Sequence, residues 1–250
     1  MLKQIIDIWR SRKTEGRLYH EFVEMLQMDW RMFEIVMEVL AGKVKPDDVQ
    51  DDLLRRDIAV NRKERSIRKQ IVESLSVRGE NTTVPASLVL MSIVKDAERV
   101  GDYCKNLLET AQMLRKPVAK LRHSHEVVEI GEHVSLIFKD SIRAFADEDE
   151  VLAQEIIQDE GLMNKRCDAL IEAIARSDLD ANEAVGTVLW IRFLKRIEAH
   201  LSNICSSVVL PVHRLDSRLK YEKREPDGGE IGDEVGDEGR DVEHGADHAE

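Results

Sequence analysis

The chain has 250 residues, of which 34% are charged and 4% are aromatic, and its net charge is −12. This length allows a substantial core without disulfide bonds, and the abundance of Leu, Ile, Val, Ala, Glu, Lys and Arg favours helices over a β-rich fold. Ten acidic residues and one arginine give the segment 226–250 a charge of −9. This segment would repel phosphate backbones, which argues against nucleic-acid binding. It also has too few apolar residues to fold, so we expect it to be disordered.

The first 16 residues form a short amphipathic lead that is too short and too polar for a secretory signal. We expect it to dock on the body of the protein, although peripheral contact with a membrane stays open. No run of about 18 apolar residues occurs in the sequence, so no membrane span is predicted. Cys104, Cys167 and Cys205 are far apart and are predicted to be buried thiols in a reducing compartment. The predicted localisation is cytoplasmic.

Three helices are predicted in the first half of the chain. The first runs from Leu18 to Ala41 and is closed by Gly42 and Pro46. The second runs from about residue 47 to 75 and is followed by a loop at 76–83. The third covers 84–111, with a proline in its first turn.

The same pattern begins again after Pro117. The sequence HEFVE at 20–24 returns as HEVVE at 125–129, an offset of 105 that also relates Phe33 to Phe138. Asparagines in the second and third helices repeat at offsets of 103 and 97: Asn61 with Asn164, and Asn106 with Asn203. Offsets that are constant within a helix and shrink at the loops indicate two copies of one unit.

The predicted fold is therefore all-α, with two tandem three-helix bundle repeats packed together. The repeats span 17–114 and 118–213, after the lead at 1–16 and before a disordered acidic tail at 222–250. Short connections predict that helices adjacent in sequence are antiparallel.

A stripe of oxygen-bearing side chains follows the third helix. Glu98, Asp102 and Asn106 are four residues apart, just outside the apolar arc, and Asp96 lies at the edge of the stripe. The second helix offers three more residues on one face: Asp57, Asn61 and Glu64. These side chains would suit a hard or borderline cation. The alternative is an ordinary solvated helix edge, with Arg99 and Lys105 as ion-pair partners, and spacing alone favours that alternative.

The second repeat lacks the carboxylate pair. When Asn203 is aligned with Asn106, Lys195 takes the place of Glu98 and Ala199 that of Asp102. Lys195 is expected to extend into solvent, with an internal cation or anion-facing group as the alternative. Glu160 and Asn164 remain on the middle helix of this repeat, where they are not expected to bind metal by themselves.

No enzyme motif emerges from the sequence. None of the histidines follows a glutamate by three residues, as carboxylate-bridged di-iron bundles require, and neither a phosphate-binding loop nor a nucleophile elbow is present. An enzyme that used Glu98 and Asp102 as acid and base, or as di-metal ligands, is therefore disfavoured. The prediction is a protein without catalytic residues.

The sequence DAERVGDYCKN at 96–106 is similar to the D-L-E-R-I-G-D-H-A-x-N stretch of the PhoU family, regulators of bacterial phosphate uptake. Arg196-Ile197 and Ser202-Asn203-Ile204 provide a weaker match in the second repeat. A glycine inside a helix costs about 1 kcal/mol relative to alanine, so we expect a close approach of another helix or a ligand to compensate at Gly101.

The resemblance implies a regulator that binds a multinuclear metal cluster and contacts a phosphate transporter subunit and a sensor histidine kinase. It implies Glu98 and Asp102 as metal ligands, joined by Asp57 and Asn61, with one intact cluster and a degenerate second repeat. The metal stays open among iron, zinc, manganese, magnesium and calcium, and a homodimer also stays open. Two alternatives are an accessory subunit of another phosphate permease and a structural helical adaptor without metal.

Overall fold

A computed structural model describes residues 13–78 and 84–210, which form helices with no strand in these ranges. The all-α prediction is confirmed. The first 12 residues and those after 210 lie outside the described residues, so docking of the lead and disorder of the tail stay predictions. The helices are α1 (Lys13–Leu40), α2 (Pro46–Arg78), α3 (Val84–Met113), α4 (Ser124–Asp147), α5 (Glu150–Ala175) and α6 (Ala181–Val209), with a short 3₁₀ turn at Val118–Lys120 before α4.

The helix ends follow local chemistry. Gly42 adopts a left-handed φ of 70° after α1, and the backbone N–H of Lys43 donates to the carbonyl of Glu38 at 3.0 Å, which caps the last turn. Pro46 begins α2, where its missing N–H has no partner to lose. Asp180 accepts hydrogen bonds from the first backbone N–H groups of α6, so this helix begins at Ala181.

Two other boundaries differ from the prediction. Helix α1 begins at Lys13, so the last residues of the predicted lead belong to it. Helix α2 continues to Arg78, because the sequence Ser-Val-Arg at 76–78 contains no helix breaker before Gly79.

Each half of the chain forms a bundle of three helices in which sequential neighbours are antiparallel. In the first bundle, Gln70 in the last third of α2 donates to Glu21 in the first third of α1 at 3.0 Å. Gln112 at the end of α3 donates to Asp47 at the start of α2 at 3.0 Å. The second bundle follows the same course, since Glu129 and His133 of α4 pair with Arg166 and Asp159 of α5, which come in the opposite order along the chain.

The two bundles are joined through α1 with α4 and α3 with α6. The rings of Phe33 and Phe138, which are repeat equivalents, lie 5.7 Å apart between α1 and α4. The ring centroids of Tyr103 in α3 and Phe193 in α6 are 5.8 Å apart. A residue that contacts its own equivalent lies at a two-fold axis, so the repeats are related by an internal pseudo-two-fold.

The described part of the chain contains no helix both long and apolar enough to cross a bilayer. Cys104, Cys167 and Cys205 are buried and free of disulfide bonds, as predicted from their spacing.

Candidate metal sites

The carboxylates of α3 lie at the border of its buried face, as predicted. The side chains of Glu98 and Asp102 are 13% and 25% exposed. Lys95 Nζ lies 2.6 Å from Glu98 Oε2, and Arg99 Nη1 lies 3.1 Å from Asp102 Oδ2. Each carboxylate therefore has a cationic partner on its own helix.

Helix α2 brings a third carboxylate to this stripe. Asp57 is buried and accepts a hydrogen bond from Asn61 at 3.3 Å. Lys105 Nζ lies 3.5 Å from Asp57 Oδ2 and 3.3 Å from Asp102 Oδ1, so one ammonium group bridges the two helices. Burial alone would lower the pKa of Lys105, but the two carboxylates outweigh burial and raise it. The structure thus brings Asp57 and Asp102 together around a positive charge.

A fourth carboxylate, which was not predicted from the sequence, belongs to α1. Asp29 is fully buried, and neither of its carboxylate oxygens has a hydrogen-bond partner in the described residues. A Cβ on Gly101 would lie 2.9 Å from Asp29 Oδ1. The expectation that a close approach compensates for this helical glycine is confirmed.

Burial and neighbouring charge disfavour the ionised form of Asp29. Burial raises the pKa of this carboxyl well above its ordinary value, and the nearby carboxylates of Asp57, Glu98 and Asp102 raise it further. A cation bound among the four groups would offset both effects. The all-oxygen set therefore fits a hard or borderline metal ion.

A signal for Asp29 exists in the sequence of α1. The buried apolar residues of this helix recur at spacings of three and four, and Asp29 occupies one of those positions between Leu26 and Met32. An acidic residue at a position that otherwise requires an apolar one indicates a special environment.

Asp96 and Glu64 have partners away from this stripe. Asp96 accepts from His200 at 2.6 Å and from Asn203 at 3.2 Å, both on α6, so it faces the other bundle. Glu64 accepts from Arg68 of its own helix at 3.0 Å.

The remaining predicted residues make contacts within their own helices. The backbone carbonyl of Asn106 accepts from Thr110, and Glu160 accepts from Asn164 at 3.1 Å on α5. None of these contacts tests a role in metal binding.

Lys195 of α6 faces an anion, which matches the alternative prediction rather than an ammonium group free in solvent. Its side chain is only 16% exposed, and Nζ lies 2.6 Å from Asp168 Oδ1 of α5. The antiparallel packing of α5 on α6 supplies this partner, which a helix considered alone does not reveal.

A second group of ligand-type atoms lies in the second bundle. His133 Nε2 of α4 is 2.9 Å from Asp159 Oδ2 of α5 and 3.4 Å from Glu198 Oε1 of α6. These three atoms lie within 4.8 Å of one another, and the described carboxylates of the first bundle do not converge this closely. The hydrogen bond that the His133 ring makes to the Glu198 carboxylate raises the pKa of His133, and burial raises the pKa of Glu198.

Comparison with known families gives two matches in this chain. The PhoU domain model matches residues 22–111 and 127–208, one match in each three-helix bundle. The chain is 27% identical over 232 residues to a phosphate-specific transport system accessory protein PhoU homolog of Pseudomonas putida, covering 89% of this chain and 91% of that protein. It is 26% identical over 183 residues to PhoU homolog 1 of Thermotoga maritima, covering 70% of this chain and 74% of that protein.

Solved structures share the fold. The crystal structure of PhoU from Pseudomonas aeruginosa superposes with a TM-score of 0.70 at 18% identity, covering 78% of this chain and 95% of that one. The phosphate transport system regulatory protein PhoU from Streptococcus pneumoniae gives a TM-score of 0.69 at 18% identity, covering 81% and 94%.

Proposed function

Since this chain belongs to the PhoU family, we propose that it is a cytoplasmic, metal-binding and non-enzymatic regulator of phosphate uptake. It acts through contacts with a phosphate transporter subunit and a sensor histidine kinase. Its relatives' description as phosphate-specific transport system accessory proteins supports the link to a transporter. The resemblance found in the sequence supports the link to a kinase.

The observation that carries metal binding is the buried carboxylate of Asp29. A charged group without a hydrogen-bond partner is costly in a protein interior, and a bound cation is a direct way to offset that cost. Asp57, Glu98 and Asp102 complete the set that would hold the ion or cluster, with Asn61 as a further ligand. The bound metal would supply positive charge that fixes α1, α2 and α3 relative to one another, and no reaction step is required of it.

Metal analysis of the purified full-length protein tests this proposal. The wild type should retain metal through gel filtration. The double variant Glu98→Gln/Asp102→Asn should lose the metal that the first bundle binds. The control is Glu109→Gln, which removes an exposed carboxylate from the same helix and should retain the wild-type content. Equal metal content in the wild type and the double variant would contradict the first-bundle site.

Phosphate uptake tests the regulatory part separately. Cells that lack the protein should take up phosphate without restraint, and the wild-type chain should restore restraint and be recovered with a transporter subunit after cross-linking. Unchanged uptake in the deletion strain would exclude this function, whatever the metal content.

A second candidate is a structural helical adaptor without metal, which the ion pairs of the first bundle favour. Lys95, Arg99 and Lys105 already neutralise much of the acidic stripe in the structure. Metal-free protein that restrained uptake as well as the wild type would support the adaptor. An accessory role in another phosphate permease is the remaining alternative, and recovery of that permease after cross-linking would identify it.

A further inference from the structure

Three helices of the second bundle each contribute one metal-ligand side chain to a common point. His133 of α4, Asp159 of α5 and Glu198 of α6 present atoms that lie 2.9 Å and 3.4 Å apart in the two pairs involving the histidine. Ligands at about 2.0–2.2 Å from one divalent ion lie about 3–4 Å from each other. The observed spacing is therefore close to that of an occupied coordination shell.

This point differs from the acidic stripe of the first bundle. At the offset of 97 that relates α3 to α6, Glu198 takes the place of Gly101. The stripe residues Glu98 and Asp102 correspond to Lys195 and Ala199, so the second bundle has lost the stripe. The carboxylate of Glu198 is buried and faces His133 of α4.

The carboxylate of Glu198 is buried, which indicates a specific partner for it. Its side chain is 2% exposed, and an ionisable group is rarely kept at such a position unless it is paired or bound to a metal. The side chain of Asp159 is 36% exposed, so a hydrated ion can reach the group from solvent. One imidazole and two carboxylates leave coordination positions for water.

We propose that His133, Asp159 and Glu198 bind a single borderline divalent transition-metal ion, such as Zn²⁺ or Co²⁺. The imidazole nitrogen sets the class, because Mg²⁺ and Ca²⁺ prefer complete oxygen shells. The site is independent of the proposed function, since it shares no residue with the acidic stripe. It would fasten α4, α5 and α6 together, as the metal proposed for the first bundle would fasten α1, α2 and α3.

Titration of metal-free full-length protein with Co²⁺, followed by its visible absorption, tests the site. His133→Gln and Glu198→Gln should each weaken one binding event by about 100-fold or more and remove its absorption bands. The matched control is His125→Gln, because His125 is on the same helix with a side chain 83% exposed, and it should bind as the wild type does. Excess Mg²⁺ should not displace Co²⁺ from this site.

The variants also separate the two bundles. Glu98→Gln/Asp102→Asn should leave the His133 site intact, so loss of the first-bundle site does not affect this test. Circular dichroism confirms that each variant is folded, and the imidazole resonances of His133 in the folded wild type should shift on Zn²⁺ addition. An unchanged His133 resonance, or identical Co²⁺ binding in the wild type and His133→Gln, would overturn the proposal.

Discussion

The contact between Gly101 and Asp29 reverses the usual effect of a glycine substitution in a helix. Alanine is normally more stable than glycine there by about 1 kcal/mol. A Cβ at position 101 would lie 2.9 Å from Asp29 Oδ1, and overpacking of a buried site costs about 1–3 kcal/mol. We expect Gly101→Ala to lower the free energy of unfolding by about 1 kcal/mol, measured by urea denaturation in the presence of EDTA.

Gly161 provides the matched control for this substitution. It also lies inside a helix, but a Cβ there would meet nothing within 4 Å. Gly161→Ala should raise the free energy of unfolding by about 1 kcal/mol. Asp29→Ala should restore part of the loss in Gly101→Ala. A Gly101→Ala variant as stable as Gly161→Ala would show that the contact is absent.

Asp29 should make the stability of the metal-free protein depend on pH. Because its folded-state pKa is raised, its contribution to stability is full below the ordinary pKa of 3.8 and is lost as pH rises through the folded value. Asp29→Asn removes this loss, so the variant should have a higher free energy of unfolding than the wild type at neutral pH, and the difference should shrink as the pH falls. Urea denaturation from acidic to neutral pH in EDTA measures the difference.

If Asp29 binds metal as proposed, the same substitution should weaken metal binding while it stabilises the metal-free protein. Added metal should stabilise the wild type and leave Asp29→Asn nearly unchanged. A difference between the two proteins that does not vary with pH would contradict the raised pKa.

At the scale of the helix, the spacing of apolar residues predicts helices. It does not predict which side chains of different helices meet. The apolar periodicity predicted three helices in the first half, and the internal repeat predicted three more, with errors where a cap or a missing helix breaker decides the end. Glu98 and Asp102 could be found because both are on one helix with a regular spacing. Asp29 and Glu198 are single acidic residues in apolar stripes, and their partners come from other helices.

The second bundle shows why side-chain partners require the fold. The sequence gives no register between α5 and α6, so it does not place Lys195 beside Asp168. His133, Asp159 and Glu198 are separated along the chain by 26 and 39 residues, and only the packing of three helices brings them together. A glutamate followed by a histidine three residues later places both ligands on one helix, so that pattern does not reveal ligands that come from three helices.

Lys105 joins α2 to α3 and would compete with the proposed metal ion for the same carboxylates. Its ammonium group lies within 3.5 Å of both Asp57 and Asp102, where it supplies part of the charge that a cation would supply. Lys105→Gln should therefore raise the affinity of the first bundle for Mn²⁺ by about tenfold, which corresponds to about 1.4 kcal/mol. Isothermal titration calorimetry on the metal-free protein measures this change.

Lys63 is the matched control for Lys105. The two side chains are on neighbouring helices, are 23% and 25% exposed, and each pairs with two carboxylates, but Lys63 pairs with Glu21 and Glu24 of α1. Lys63→Gln should leave Mn²⁺ affinity unchanged. Weaker Mn²⁺ binding in Lys105→Gln would mean that the lysine supports the site rather than competing with metal.

At the scale of the whole molecule, the pseudo-two-fold makes the two repeats one folding unit. The equivalent residues Phe33 and Phe138 pack on each other at the axis, and Trp30 lies 5.4 Å from Phe138. Helices α3 and α6 form the second contact between the bundles through Tyr103 and Phe193. Each repeat therefore covers apolar surface of the other, and neither bundle has a complete core alone.

Substitution at the axis should consequently destabilise both bundles together. Phe138→Ala should lower the free energy of unfolding by about 3–5 kcal/mol, because it leaves a cavity that faces both repeats. Variants that retain only Trp30 or only Trp190 report the first and second bundles by fluorescence, and both should show the same lowered urea midpoint. Leu162→Ala, at an exposed position of α5, should leave both midpoints unchanged. If the Trp190 midpoint fell while the Trp30 midpoint stayed at the wild-type value, the repeats would unfold independently.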